Sequence, residues 1–356
     1  MATRSRMALC VAALVAVGAC SLREIKAPAA PPSAAEVAEL WVMPEPDRDL
    51  FYGAGGARLV PDPRTRFQVI EVKRGGFSAG YTVDDGRDRR WSAKFPPEAS
   101  AEVAAARLLW GAGYHQPPVH FLRVWEADGA DLPNPQMPAR FRELTPDFHG
   151  LEYKGGWSFY NNPFVGTREL NGLLVMQAMF GNSDVKDSNN GLFEFKEAVE
   201  GAPRWYVVVD VGDSFGKTLG SRYPGGEIAE WERRRFISKV EDGRVTLSQT
   251  GIHTRLFKDI PVEHVRWACE RLAVLTERQW TDAFRAAGYE PHTRVTRRQR
   301  TQATTKAQSP VQYPIVHTCP VCHSRRFARR VMRAWRCRSC VDNGLAGELI
   351  ATRTNV

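Results

Sequence analysis

The chain has 356 residues, of which 43% are apolar and 25% charged. That balance excludes a mostly disordered chain, a collagen and a multi-span membrane protein, and the length allows two domains or one large α/β or α+β domain with appendages. The net charge of +9 is unevenly placed: Pro291–Val356 holds thirteen Lys/Arg against two acids, Asp342 and Glu348, a net +11 that leaves −2 for the first 290 residues. The basic character belongs to the tail, so it does not mark the main body as a nucleic-acid binder.

Arg4 and Arg6 precede a short apolar stretch, Met7–Val17, which ends in Val17-Gly18-Ala19-Cys20. The run is too short to span ~30 Å of hydrocarbon, so residues 1–20 read as a signal peptide. The Val-Gly-Ala-Cys string resembles a bacterial lipobox. That resemblance implies cleavage before Cys20, a lipid on its thiol and an envelope location on the periplasmic face of a membrane. The plainer reading is an uncleaved anchor or a misassigned start codon, which allows a cytoplasmic protein. Residues 21–48, rich in Ala, Pro and Glu, read as a flexible tether.

Strands are expected at Phe67–Glu71, Tyr81–Val83 and Trp91–Phe95, with a Gly75-Gly76 turn before the second and Asp84-Asp85-Gly86-Arg87 as a hairpin before the third. Pro96-Pro97 breaks the pattern, and Ser100 is a candidate cap for a helix over Ala101–Leu109 that Gly111 and Gly113 end. Val119–Val124 reads as another strand, and 126–162 as loop-rich. Arg168–Phe180 is apolar nearly all round, as a buried helix is. A polar loop, Asn182–Asn190, follows it, then strands at Gly191–Phe195 and Trp205–Val209 that run into Asp210-Val211-Gly212-Asp213-Ser214-Phe215-Gly216. Helical patterns return over 227–240 and 261–287, with Cys269 a core thiol in the second. No internal repeat is visible.

Taken in order, these pieces supply the parts that phosphoryl transfer needs. Lys94 is placed to hold phosphate oxygens and Glu102 to hold the lysine. An Asp-x4-Asn loop offers an orienter for the acceptor. Magnesium favours a carboxylate and an amide oxygen beside phosphates, which Asp210 and Asn189 offer. Each residue also has a plainer reading. Lys94 suits a solvated strand edge, Glu102 is favoured in a first helical turn by the helix dipole, and Asp184 and Asn189 are ordinary turn-formers. Asp210, at the mouth of an apolar strand, is the hardest to read that way, because its carboxylate must find partners.

The same residues resemble the atypical kinase-fold superfamily, which includes HipA-type kinases, phosphatidylinositol 4-kinases and secretory-pathway Golgi kinases. Ala101–Leu109, leading into Gly113–Pro118, is similar to the helix that carries the lysine's glutamate partner. Gly181-Asn182-Ser183-Asp184 through Asn189 is similar to the catalytic loop, and Val209–Gly216 to the metal-binding segment, an Asp followed five residues on by Phe-Gly. The resemblance covers roughly residues 65–285. It implies an α+β, two-lobed kinase-like fold over 49–290, in which a small antiparallel sheet lobe meets a mainly helical one. It also implies ATP with Mg or Mn as cofactors. Asp184 is then the catalytic carboxylate, Lys94, Gly75 and Gly76 lie on the nucleotide, Glu102 pairs with Lys94, and Asn189 and Asp210 are the metal ligands. The chain departs from the family in carrying Val185-Lys186 where Arg-His is usual. Asp187 competes with Asp184, and Asn190 with Asn189.

Beyond a basic linker at 291–313, the tail at 314–356 carries Cys319-Pro320-Val321-Cys322 and Cys337-Arg338-Ser339-Cys340. Two such knuckles read as four thiolates, Cys319, Cys322, Cys337 and Cys340, on one structural zinc. The segment resembles the C-terminal ribbons of SprT-like proteins, without their His-Glu-x-x-His. Arg325–Arg336 interleaves arginines with Phe327 and Trp335, a pattern that suits nucleic acid or a solvated basic face. An oxidising envelope favours disulfides over zinc, so head and tail pull apart. Three functions are therefore carried forward. The first is a membrane-anchored kinase-like enzyme acting on an unknown acceptor. The second is an inactive kinase-fold scaffold whose ribbon meets an anionic partner, and the third is a nucleic-acid binder driven by its tail.

Overall fold

A computed structural model describes residues 23–289 apart from 74, 76–77, 130–135, 145–149, 216–235 and 252. Cys20, Gly76, the linker and the four ribbon cysteines lie outside the described residues, as does most of the 227–240 segment. The described part is a mixed α+β structure. Six strands, β1 (Arg66–Lys73), β2 (Gly80–Asp84), β3 (Arg90–Lys94), β4 (Val119–Leu122), β5 (Glu126–Asp128) and β6 (Ala139–Glu143), form one sheet in the order β4-β6-β3-β2-β1-β5. All neighbours are antiparallel except β1 and β5.

Strand alternation gives this sheet two unlike faces. Trp91, Ala93, Tyr81, Val83 and Phe141 point to one side and build an aromatic core with Phe67 and Trp125. The residues between them point the other way. Lys94 pairs in register with Arg140, and Ser92 with Arg142, so three cations stand on the face opposite the aromatics.

Helix α2 (Ala99–Gly111) packs beside the sheet, with Ala101 to Leu109 all buried. Its run of alanines lets the backbone come close without displacing neighbours. Ser100, expected as its cap, lies inside the helix, and Glu98 is the residue at the N-cap. Helix α3 (Arg168–Phe180) starts where the Thr167 hydroxyl accepts from Leu170 N at 3.1 Å and ends at Gly181, whose φ of 74° is left-handed. Its buried flank meets α4 (Val262–Ala273), where Gly172 leaves room for the Trp267 ring.

Two three-stranded sheets complete the architecture. One orders β7 (Glu152–Gly155), β8 (Asn190–Val199) and β9 (Ala202–Val208); the other orders β10 (Ile237–Glu241), β11 (Arg244–Leu247) and β12 (Ile260–Pro261). The helical reading of 227–240 is therefore overturned at its C-terminal end, where Ile237 begins a β-hairpin whose turn contains Gly243. The helical pattern read over 261–287 is two helices, α4 and α5 (Glu277–Ala286). The chain is re-capped between them by Thr276 and Gln279, which exchange hydrogen bonds as a capping box. Among the described residues no helix is long and apolar enough to cross a membrane.

Residues 21–48 were expected as a flexible tether; among the described ones most of 23–36 is exposed, but Glu39, Leu40 and Trp41 are buried against the body. The short helix α1 (Ala34–Val37) leads into Leu40 and Trp41, both buried, and Leu50 is fully covered. Trp41 Nε1 donates to Ala112 O at 2.8 Å and its ring meets Trp267 edge-on at 5.1 Å. The Ala- and Pro-rich composition concealed the few large apolar residues that anchor the segment.

Candidate functional site

The site assembles where the cationic face of the six-stranded sheet meets α2 and the end of β9. Lys94, last in β3, sends its ammonium to Glu102 Oε2 at 3.1 Å and to both oxygens of Asp210 at 3.0 and 3.1 Å. Glu98 Oε2 lies 2.9 Å away on the same ammonium. Glu102 is fully buried and also receives Arg140, at 2.9 Å, and Arg142. Burial alone would push the Glu102 carboxyl up, but Arg140, Lys94 and Arg142 together hold it well below the usual range. Lys94 is likewise buried against its charge, and Glu102 and Asp210 outweigh that burial to keep it protonated.

Arg142 ties three elements together, since its Nη2 also donates to Val209 O at 2.7 Å. A cavity of about 400 Å³ opens beside it, between Pro117, Pro118, Leu144, Tyr153, Phe193 and Val209.

The second half of the site is the loop after α3. Asn182 Nδ2 donates to Gln177 Oε1 at 2.7 Å, and its own Oδ1 accepts from Asp184 N at 3.1 Å, which turns the chain. Asn189 Nδ2 then donates to Asp184 O at 2.6 Å and to Asp184 Oδ2 at 3.1 Å. Lys186 Nζ reaches the same carboxylate oxygen at 2.7 Å. The carbonyl of Asn189 accepts from Val209 N at 2.7 Å and Asp210 N at 3.2 Å, so the loop is stitched directly to the strand that presents Asp210.

Asp187 and Asn190, the competing residues, face other partners. Asp187 accepts from Phe159 N at 3.3 Å and pairs with Arg23. Asn190 is buried, with its amide on Trp157 O at 3.0 Å. Gly75 is exposed between β1 and β2, and a Cβ there would have nothing within 4 Å.

No family model matches the chain, and no curated protein matches it. Solved structures similar in outline include the crystal structure of the Helicobacter pylori proinflammatory kinase CtkA, 12% identical, with a TM-score of 0.38, over 64% of this chain and 89% of that one.

Four residues of the site were not singled out from the sequence. Glu98 and Asp213 flank it, and Arg140 and Arg142 complete the charge balance on Glu102. The Ala-Arg-Phe-Arg-Glu alternation of residues 139–143 signals a strand with both arginines on one face, but it lies in a stretch read as loop. Asp213 accepts from the hydroxyl and the N–H of Ser183, the latter at 3.2 Å. Burial pushes its carboxyl up to about 6, with Glu98 and Asp184 adding to the effect and Ser183 opposing it. Gly212 makes this convergence possible, because a Cβ there would lie 2.8 Å from Glu98 Cβ and 3.3 Å from Lys94 Nζ. Among the described residues no three His, Cys, Asp or Glu side chains form a ready metal cage.

Proposed function

We propose that the chain is a kinase-like phosphotransferase, using ATP with Mg or Mn on an unidentified acceptor and held at a membrane by a lipid on Cys20. The observation that carries the reading is Lys94, buried between Glu102 of α2 and Asp210 at the end of β9. A six-stranded sheet that presents Lys94, a helix that supplies its carboxylate, and a second part in which the loop after α3 and the end of β9 supply Asp184, Asn189 and Asp210 fit the division of labour in a two-lobed kinase.

The donor set suits the metal. Asp210 is the accessible carboxylate, its side chain 39% exposed where that of Glu102 is 1% exposed. Asn189, its nitrogen spent on Asp184, keeps a hard amide oxygen. Magnesium bound through one or two protein oxygens and the substrate phosphates needs no complete protein cage. When bound, the metal–nucleotide pair supplies the transferable phosphoryl group and neutralises its charge. Lys94 would then exchange part of its contact with Asp210 for phosphate oxygens while Glu102 keeps it in place. Asp184, fixed by Asn189 and Lys186, would orient the acceptor hydroxyl and take its proton.

A second reading, an inactive scaffold, draws on the contact between Lys186 and Asp184, which offers the carboxylate a standing counter-ion. One experiment separates the two. The thermal midpoint of the full chain is measured with ATP, with and without Mg²⁺ or Mn²⁺, beside Asp210→Ala. A metal-dependent rise that the variant loses supports a nucleotide site at Asp210. A well-folded wild type that does not respond sinks the enzyme reading and leaves the scaffold.

The tail is proposed as a zinc ribbon on Cys319, Cys322, Cys337 and Cys340. Metal analysis of the purified chain, compared with Cys319→Ser, tests that separately.

A further inference from the structure

The described chain begins beside the loop that carries Asp184 and Asn189. Arg23 pairs with Asp187, whose other oxygen is held by Phe159 N at 3.3 Å. Three residues on, Lys26 N donates to Tyr160 O at 2.8 Å, and a parallel bridge joins Lys26 to Asn161. The Tyr160 hydroxyl lies 3.0 Å from His253 Nδ1, which closes the same patch from the segment after β11. The N-terminal segment is thus fastened at 23–26, on one face of the body.

Cys20 stands three residues before Arg23. An extended chain covers at most about 3.6 Å per residue, so the Cys20 Cα lies within about 11 Å of the Arg23 Cα whatever conformation lies between. A lipid on that thiol would leave the body little freedom to turn. We propose that it seats the face formed by Arg23, Lys26, Tyr160, Asp187 and His253 against the bilayer surface, with the Asp184–Asn189 loop on the membrane side. The inference rests on the lipid anchor proposed above and is independent of catalysis.

Charge does not explain such seating. Arg23, Lys26 and Arg255 on or near this face are set against Glu24 and Asp187, which leaves it close to neutral. The seating therefore follows from the short covalent link, and it should persist on zwitterionic lipid and at high salt, where a headgroup-driven contact is screened away.

The test uses the full lipidated chain in phosphatidylcholine vesicles that contain a phosphatidylethanolamine with a diazirine on its headgroup. After photolysis, cross-linked peptides are mapped. Cross-links should fall several-fold more often on peptides covering 23–26, 158–161, 184–188 and 253–258 than on those covering Lys196 or Lys239, in low and high salt alike. A long Gly/Ser insertion between Leu22 and Arg23 should erase the preference. An even spread in the wild type, a preference for another face, or a pattern that the insertion leaves unchanged would each overturn the proposal. An N-terminal peptide with no lipid mass overturns the anchor and the seating together. Failure to bind ATP would leave the cross-link pattern intact, so the two readings fail separately.

Discussion

Lys94 and Asp210 are 116 positions apart in the chain, yet the ammonium stands 3.0 and 3.1 Å from the two carboxylate oxygens. The lysine is fixed to the sheet and the aspartate to the end of β9, so the pair joins two separately built parts of the molecule across the site. The partners are unequal, because the Asp210 side chain is 39% exposed while that of Lys94 is 12% exposed. A half-exposed carboxylate adds little to stability, about 1 kcal/mol or less. Asp210→Asn should therefore leave the urea midpoint nearly unchanged while abolishing metal-dependent ATP binding in a calorimetric titration. A variant that binds ATP with metal as tightly as the wild type would remove Asp210 from the site.

Glu102 should behave in the opposite way. Among the described residues it is the carboxylate shared by Lys94, Arg140 and Arg142, and it is fully buried. Glu102→Gln leaves buried cations without their counter-ion, a loss of about 3–5 kcal/mol. The pH dependence should carry the same signature. Its folded carboxyl titrates well below the ordinary 4.5 of a glutamate, so its stabilisation is complete above that pH and is lost as the pH falls. Urea unfolding at pH 7 and at pH 3.5 should show the two proteins closer together in acid. An equal gap at both pH values would mean that Glu102 is not the group that titrates.

How much of this was legible before the structure depends on where each residue's partners lie. Helix α3 was readable because its apolar run and the Gly181 that ends it are local signals, although its Thr167 cap was not singled out. Strands β1 to β3 were readable from alternation, as was the loop from Asn182 to Asn190, while β5 to β7 were missed within a stretch rich in turn residues. The convergence of Lys94, Glu102 and Asp210 is not a local property. Its parts lie in three elements; the Lys94–Glu102 pair was expected from their order and from the kinase-fold resemblance, whereas Asp210 was expected on a metal and not on the lysine. Arg140 and Arg142 were missed because their role depends on register with β3, which no single strand reveals. The packing of residues 23–48 was missed because composition averages over Leu40 and Trp41, the two residues that decide it.

Asp213 makes the pH dependence testable from the other side. Its carboxyl is raised from 3.8 to about 6, chiefly by burial, so the folded chain keeps a proton there that the unfolded chain sheds. The sign follows from linkage: stability falls as pH rises through the interval from about 4 to 6, and the loss is complete above it. Asp213→Asn removes the titrating group and keeps an oxygen for Ser183 N–H. Thermal melts from pH 4 to pH 7 should show the variant gaining on the wild type as pH rises. Parallel curves would mean that Asp213 is ionised in the folded chain across the whole range.

The N-terminal segment gives the last prediction. Trp41 is 8% exposed, its indole N–H donates to Ala112 O, and its ring lies against Trp267 of α4. Gly113, with φ at +102°, is what admits it, since a Cβ there would lie 2.4 Å from Trp41 Nε1 and 2.2 Å from Val42 O. Trp41→Ala therefore opens a cavity at a junction between α2 and α4, and a buried tryptophan lost in this way costs about 3–5 kcal/mol. Gly113→Ala should destabilise by more than about 1 kcal/mol at the same contact, because it combines strain at positive φ with the clash. The two losses should be partly non-additive in the double variant, since the clash with the Trp41 indole is gone there while the strain at positive φ and the clash with Val42 O remain. A free tether predicts instead that Trp41→Ala stays within about 0.5 kcal/mol of the wild type, as exposed substitutions do. Urea unfolding of the full-length variants separates the two, and a small effect of Trp41→Ala would mean that the indole does little to hold this stretch against α2 and α4.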